Sequence, residues 1–186
     1  MSEALASAGR RHAEPRAVGF LRRFIWFWAV GVGGLLLLAI VFMTAWSATS
    51  GFLFGKPIPG DFELVQFGIA IAAFSFLPLC QLARANVIVD SFTLWAGPRL
   101  RRAMELLGAL AAIAVSVILL WRMSIGMHDY YVHEEYTAII GIPLWWAFPP
   151  MLFSLLLLLI AALITAAESL GLLPRTEAAD APPARE

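Results

Sequence analysis

The chain has 186 residues, of which 61% are hydrophobic and 14% are charged. A soluble domain of this length carries about 25% charged residues, so the composition excludes an ordinary soluble protein. Thirteen basic and thirteen acidic side chains cancel, so the net charge does not indicate a nucleic-acid partner. A single cysteine, Cys80, excludes an internal disulfide bond and a cysteine-based metal cluster.

Four apolar segments are long enough to cross a bilayer, which needs about 20 mostly apolar residues per helix. They cover residues 24–46, 64–83, 103–125 and 143–167. Because backbone polar groups in lipid must be satisfied internally, each segment is predicted to be a helix. The polar ends, residues 1–22 and 171–186, are predicted to be disordered tails of a membrane domain over residues 23–170. The predicted fold class is therefore an all-α integral membrane protein with four transmembrane helices.

Basic residues alternate between the segments that connect these spans. Residues 1–23 contain five arginines, and residues 84–102 contain four. The first loop has only Lys56, and residues 126–142 have no lysine or arginine. Since cytoplasmic segments carry the excess of basic residues, both termini are predicted to be cytoplasmic, with the first and third loops outside.

The second loop is predicted to contain a short amphipathic helix that lies in the membrane plane, over residues 87–97. At about 100° per residue, Ile88, Phe92 and Trp95 fall on one face of this helix. Three arginines follow it, where they can contact lipid phosphates; they are Arg99, Arg101 and Arg102. The alternative is an ordinary cytoplasmic loop beneath the bundle.

No span has an acidic or basic residue near its centre, where carriers of ions or protons usually place one. Spans two and three instead carry polar and small residues along one face. On span two the face contains Glu63, Gln66, Ala70, Ala73, Gln81 and Arg84, and on span three it contains Glu105, Gly108, Ala109, Ala112 and Ser116. Small residues let helices approach closely in lipid, so these faces are predicted to pack within the bundle or, as we favour, against a partner subunit.

The third loop contains metal-ligand residue types, which are His128, Asp129, His133, Glu134 and Glu135. Their spacing does not place three of them together, so we expect a solvated acidic loop or an acidic docking surface for an extracellular protein. Paired intramembrane histidines for haem, a phosphate-binding glycine loop and a nucleophile beside a base are all lacking. The sequence therefore predicts no enzyme, no cofactor and no metal.

The entrance to span two is predicted to be a turn followed by a helix start. Pro57 and Pro59 stiffen the turn, Gly60 bends it, and Asp61 is predicted to cap the helix. Glu63 lies in the first helical turn, where the helix dipole favours an anion. We expect Glu63 to support the helix start and to contact another subunit.

Three stretches stand in a defined order relative to the predicted spans. They are GKPIPGDFELVQF, ARANVIVDSFTLWAGPRLRRAMEL and EEYTAIIGIPLWWAF. Together they resemble the DctQ family, the small membrane subunit of tripartite ATP-independent periplasmic (TRAP) transporters. The matching positions are Pro57, Gly60 and Glu63 in the first stretch; Arg84, Val87, Val89 and Asp90 in the second; and Glu135, Thr137, Ile142, Pro143 and Trp145 in the third. Asn86, near a position where the family often has histidine, and the FPPML segment depart from the pattern.

The resemblance implies a non-catalytic small permease subunit in the bacterial inner membrane. Such transporters import organic acids, which a periplasmic binding protein delivers to a large membrane subunit that a sodium gradient drives. The implied partners are the large subunit, the binding protein and membrane lipids. Two alternatives fit the residues less well: a self-sufficient homo-oligomeric transporter needs a carboxylate inside a helix, and the anchor subunit of a redox complex needs intramembrane histidines.

Overall fold

Long helices account for most of the computed structural model, which describes residues 16–83 and 98–170. In chain order they are α1 (Arg16–Phe27), a π-helical turn (Trp28–Gly34), α2 (Leu35–Phe54), α3 (Asp61–Leu82), α4 (Pro98–Val132), a 3-10 turn (Leu144–Ala147) and α5 (Phe148–Ser169). The described ranges contain no strand beyond an isolated bridge between Tyr136 and Pro143. The predicted in-plane helix over residues 87–97 lies outside them.

Four helical segments are long and apolar enough to span a membrane, which confirms the predicted all-α membrane class. They cover Val18–Phe54, Asp61–Leu82, Met104–Val132 and Leu144–Ser169, and we call them spans one to four. Spans one and three exceed the predicted lengths, and tertiary contacts lie in the added segments of both. Helix α1 begins at Arg16, inside the predicted disordered tail, and Arg22 forms an ion pair with Glu168 of α5. At the end of span three, the ring of Tyr130 lies 5.4 Å from that of Phe148.

Span four is the centre of the bundle. Half of its most apolar window is buried, against 11–22% for the other three spans. It packs against α4 on one side and α3 on another, while α1 and the π-helical turn pack on α3. A buried cluster of Ile25, Leu157 and Ala161 also joins α1 to span four.

Spans one and two approach closely at two glycines. A Cβ atom at Gly33 would lie 3.1 Å from the Cβ of Ser75. A Cβ atom at Gly68 would lie 2.3 Å from the Cδ1 of Ile40. Each glycine therefore lets a neighbouring helix fill the space that a side chain would occupy, which is how helices pack tightly in lipid.

Polar groups buried between the spans are satisfied within the bundle. Ser75, Ser116 and Thr165 donate hydroxyl hydrogen bonds of 2.6–2.9 Å to carbonyls four residues earlier in their own helices. Ser154 does the same to the Pro150 carbonyl at 2.8 Å, and its hydroxyl oxygen accepts from the Trp28 indole N–H at 3.0 Å. Of these bonds, only the one between Trp28 and Ser154 links two helices, and the other hydroxyls are satisfied within their own helices, so they form no chain of polar groups through the described bundle.

Candidate functional site

The turn before α3 is fixed by a hydroxyl from α2. The Ser47 hydroxyl donates to Asp61 Oδ2 at 2.7 Å and accepts from the backbone N–H of Ile58 at 3.1 Å. Gly60, with φ of 75°, is the N-cap residue, and no side chain caps the helix. The prediction that Asp61 caps α3 is therefore wrong, because its carboxylate binds Ser47 and the neighbouring Phe62 N–H instead.

Glu63 connects this helix start to the loop between spans three and four. Its Oε1 accepts the backbone N–H of Ile139 at 2.8 Å, and its Oε2 accepts that of Ile140 at 3.0 Å. Both carboxylate oxygens are thus used on adjacent amides of one loop. Hydrogen bonds to an ionised acceptor are stronger than those between neutral groups, so Glu63 holds the loop against α3.

The loop presents these two amides because it closes on itself. The Thr137 N–H donates to the Ile142 carbonyl at 2.9 Å, and the Ile142 N–H donates to the Thr137 hydroxyl at 3.0 Å. Gly141, with φ of 71°, makes the turn between them. The closed loop leaves the amides of Ile139 and Ile140 facing Glu63.

Gly60 completes the contact from the other side. A Cβ atom at Gly60 would lie 2.2 Å from Cγ1 of Ile140, so the Ile140 side chain occupies the space that the glycine leaves open. We call Gly60, Glu63, Thr137, Ile139 and Ile140 the outer clamp. It joins two of the three stretches that carry the family resemblance, and Pro143 and Trp145 lie just beyond it, at the start of span four.

The predicted face of span two is only partly covered by the bundle. Gln66 and Ala73 are exposed, whereas Ala70 and Gln81 are half-buried. Gly68, Ala72, Ser75 and Pro78 form the buried side of the same helix. Arg84 lies outside the described ranges. The structure therefore leaves Gln66 and Ala73 of this face open to lipid or to another protein, while Ala70 and Gln81 are partly covered.

The predicted face of span three points mainly inwards. Ala109 and Ser116 are buried where α4 packs on span four, and Ala112 is half-buried. Gly108 is exposed, and a Cβ atom there would meet nothing within 4 Å. Ala109, Ala112 and Ser116 thus close the small bundle, in contrast to the open face of span two.

Sequence reasoning missed the ion pair between Arg22 and Glu168 at the opposite end of the bundle from the clamp. Glu168 is 6% exposed, and Arg22 reaches it from α1. The sequence contains a signal for this pair. The start of span one and the end of span four lie on the same side of a four-span membrane protein, and each has a charged residue there.

The remaining predicted residues lie in several places. Asp90, Ile88, Phe92 and Trp95 fall outside the described residues, and Arg99, Arg101 and Arg102 lie in the first turns of α4. Pro57 packs against Gly51, where a Cβ atom would lie 3.5 Å from the proline ring. In the third loop, His133 Nδ1 lies 2.8 Å from the Asp129 carbonyl oxygen. Within the described part of the chain, no three metal-ligand side chains converge.

Residues 40–171 match the profile of the DctQ family, described as the DctQ component of tripartite ATP-independent periplasmic transporters. The match covers more than two thirds of the chain and contains both halves of the outer clamp. No individual curated protein matches the chain significantly.

Proposed function

We propose that this chain, which belongs to the DctQ family of small TRAP transporter subunits, braces the large membrane subunit without carrying substrate itself. The observation that supports this role most directly is the interior of the described spans. Within the described spans, acidic side chains stand only towards the ends, as Glu63, Glu105 and Glu168 do, and the buried hydroxyls are bonded within the bundle. Arg122, ten positions before the end of span three, is the basic residue nearest to the middle of a described span, and its side chain is exposed on the outside of the bundle. An organic anion or a sodium ion crossing a bilayer needs polar ligands near the midplane, so both belong to the large subunit in this proposal.

The outward face of span two is the proposed contact with the large subunit. Phe62, Gln66, Ile69, Ala73 and Leu77 are exposed along it. Gln66 stands five residues into the helix, about 7 Å below its start, and its carboxamide makes no hydrogen bond to the described residues. An amide facing lipid at this depth is unfavourable, whereas a polar group on a neighbouring helix would satisfy it.

The third loop, residues 126–142, is the proposed contact with the periplasmic binding protein, and we call it the outer loop. Asp129, Glu134 and Glu135 are exposed there, and residues 126–142 contain no lysine or arginine. Such a surface attracts a basic patch on a soluble partner and raises the rate of encounter. This contact is proposed together with an inner-membrane location in which both termini are cytoplasmic, because that orientation exposes the loop to the periplasm.

Co-purification with the large subunit tests the scaffold role. Ala73→Trp places a bulky ring on the proposed contact face, and Ala114→Trp places the same ring on an exposed position of α4. We expect Ala73→Trp, but not Ala114→Trp, to lower the yield of the complex and the uptake of substrate by proteoliposomes. Equal yields for both variants contradict the proposed face. Uptake by proteoliposomes that contain this chain alone contradicts the scaffold role itself.

A further inference from the structure

An open cavity of about 300 Å³ lies at the end of α4, beside the outer clamp. Its volume is at the lower end of the range of small-molecule sites, about 300–1,000 Å³. The residues that line it are Tyr131, Val132, Glu134, Tyr136, Pro143 and Trp145. Neither the clamp nor the proposed contact with the large subunit uses this space.

Three aromatic rings contribute to the cavity wall. Tyr131 and Trp145 meet edge to face, with ring centroids 5.6 Å apart and an interplanar angle of 81°. Tyr136 lies further along the loop, where its backbone forms an isolated bridge with that of Pro143. The faces of tyrosine and tryptophan rings carry negative electrostatic potential, so a cavity that they line favours a cation.

Glu134 adds a full negative charge to the same wall. Its φ of 48° lies in the left-handed region, which residues other than glycine seldom adopt. The exposed carboxylate makes no hydrogen bond or ion pair with any described residue. Residues 123–142 contain no lysine or arginine, so the loop offers Glu134 neither of these cations.

We infer that this cavity binds a substituted ammonium group, carried either by a small organic cation or by the headgroup of a zwitterionic phospholipid. A divalent metal ion requires several oxygen ligands, and one carboxylate supplies too few. Three aromatic residues with a single carboxylate instead match an alkylated cation, which contacts the rings and which the carboxylate neutralises. The inference concerns this chain alone and does not depend on the scaffold role.

Binding of choline to the purified chain tests the inference. The chain is placed in phosphatidylglycerol nanodiscs, and the affinity for choline is measured by equilibrium dialysis. Glu134→Gln and Glu135→Gln remove the same charge from adjacent exposed positions, but only Glu134 lines the cavity. We expect Glu134→Gln to weaken binding about fivefold and Glu135→Gln to leave it nearly unchanged. Equal affinities for the two variants overturn the inference.

The aromatic wall has a matched pair of its own. Tyr136→Leu removes a ring from the cavity, and Trp121→Leu removes an exposed ring of α4 that does not line it. We expect weaker choline binding only for Tyr136→Leu, with unchanged thermal unfolding for all four variants. Absence of choline binding by the unmodified chain also overturns the inference.

Lipid composition distinguishes the two sources of the ammonium group. If a headgroup fills the cavity, phosphatidylcholine in the nanodiscs lowers the affinity of the unmodified chain for free choline. If the site takes a free cation, the affinity stays the same in both lipids. Either result supports an ammonium site, provided that Glu134→Gln differs from Glu135→Gln.

Discussion

Glu63 and Ile140 are 77 positions apart in the chain, yet the carboxylate of one accepts the backbone N–H of the other at 3.0 Å. This bond joins the start of span two to the loop that leads into span four. With the parallel bond to Ile139, it fixes the non-cytoplasmic end of the bundle in the proposed orientation. The outer loop, with its acidic residues and its aromatic cavity, is thereby held in one position.

Replacing Glu63 should release the loop. In Glu63→Ala, two backbone N–H groups lose a charged acceptor, and water at this exposed site replaces it only in part. We expect faster hydrogen exchange at the amides of Ile139 and Ile140 and a lower unfolding temperature. Mass spectrometry of exchange in detergent or nanodiscs measures the first effect directly.

Glu135→Ala is the control for this prediction, because Glu135 lies in the same loop and its side chain is exposed. Unchanged exchange at residues 139–140 in Glu63→Ala contradicts the clamp. Loss of uptake with normal loop exchange would instead place the role of Glu63 in a subunit contact.

Gly60 should be intolerant of a side chain for two separable reasons. Gly60→Ala forces a non-glycine residue to a φ of 75°, which costs about 1–2 kcal/mol, and it also brings Cβ against the side chain of Ile140. Gly55→Ala is a matched control, since Gly55 has a φ of 66° and nothing within 4 Å of its Cβ position. We expect a larger loss of thermal stability for Gly60→Ala than for Gly55→Ala.

The difference between these variants measures the steric contact with Ile140. Truncation of that side chain in the Gly60→Ala/Ile140→Ala double variant should recover part of the difference. A double variant with the summed loss of both single variants would show that Gly60 and Ile140 do not interact.

The parts of this structure that the sequence predicts are those that depend on side-chain type. Each spanning helix follows from a run of apolar residues, because a bilayer accepts any helix of sufficient length and hydrophobicity. The ion pair between Arg22 and Glu168 was predictable in the same way, because the two residues have opposite charges and lie on the same side of the membrane. The partners of Glu63 were not, because they are backbone N–H groups, which Ile139 and Ile140 share with almost every residue.

The two faces of small residues show a second limit. Ala70 and Ala73 on span two and Ala109 and Ala112 on span three are pairs with the same spacing of three positions, and small residues permit close packing on either side of a helix. Which face turns inwards depends on where span four lies. The sequence therefore predicts two packing faces, and only the arrangement of the helices separates the outward one from the inward one.

Breaking the ion pair between Arg22 and Glu168 should destabilise the bundle at the end opposite the clamp. In Glu168→Leu, the partly exposed Arg22 side chain loses a buried acceptor. Removal of one partner from a fully buried ion pair lowers the free energy of unfolding by about 3–5 kcal/mol, and solvent around Arg22 should make the loss smaller here. Thermal unfolding in detergent measures the loss. The neighbouring Arg23 is exposed, so Arg23→Met provides a control in which we expect little change.

A double variant, Arg22→Met/Glu168→Leu, tests whether the loss comes from an uncompensated charge. Replacing both partners by apolar residues leaves no charge to desolvate, so we expect it to be more stable than Glu168→Leu alone. A double variant less stable than either single variant would indicate that packing, and not charge, dominates at this position.

The hydrogen bond between Trp28 and Ser154 should contribute modestly to the contact between spans one and four. Trp28→Phe keeps an aromatic ring near Phe153, whose ring centroid lies 4.5 Å from that of Trp28, but it removes the indole N–H. Hydrogen bonds between membrane helices contribute about 0.6 kcal/mol on average, so we expect a small fall in the unfolding temperature. Trp26 is 57% exposed, and Trp26→Phe should have less effect. If the indole bond links the helices, Ser154→Ala should cost less in Trp28→Phe than in the unmodified chain, because in that variant it removes only the bond to Pro150. A Ser154→Ala loss that is the same with Trp28 or Phe at position 28 would show that the two side chains act independently.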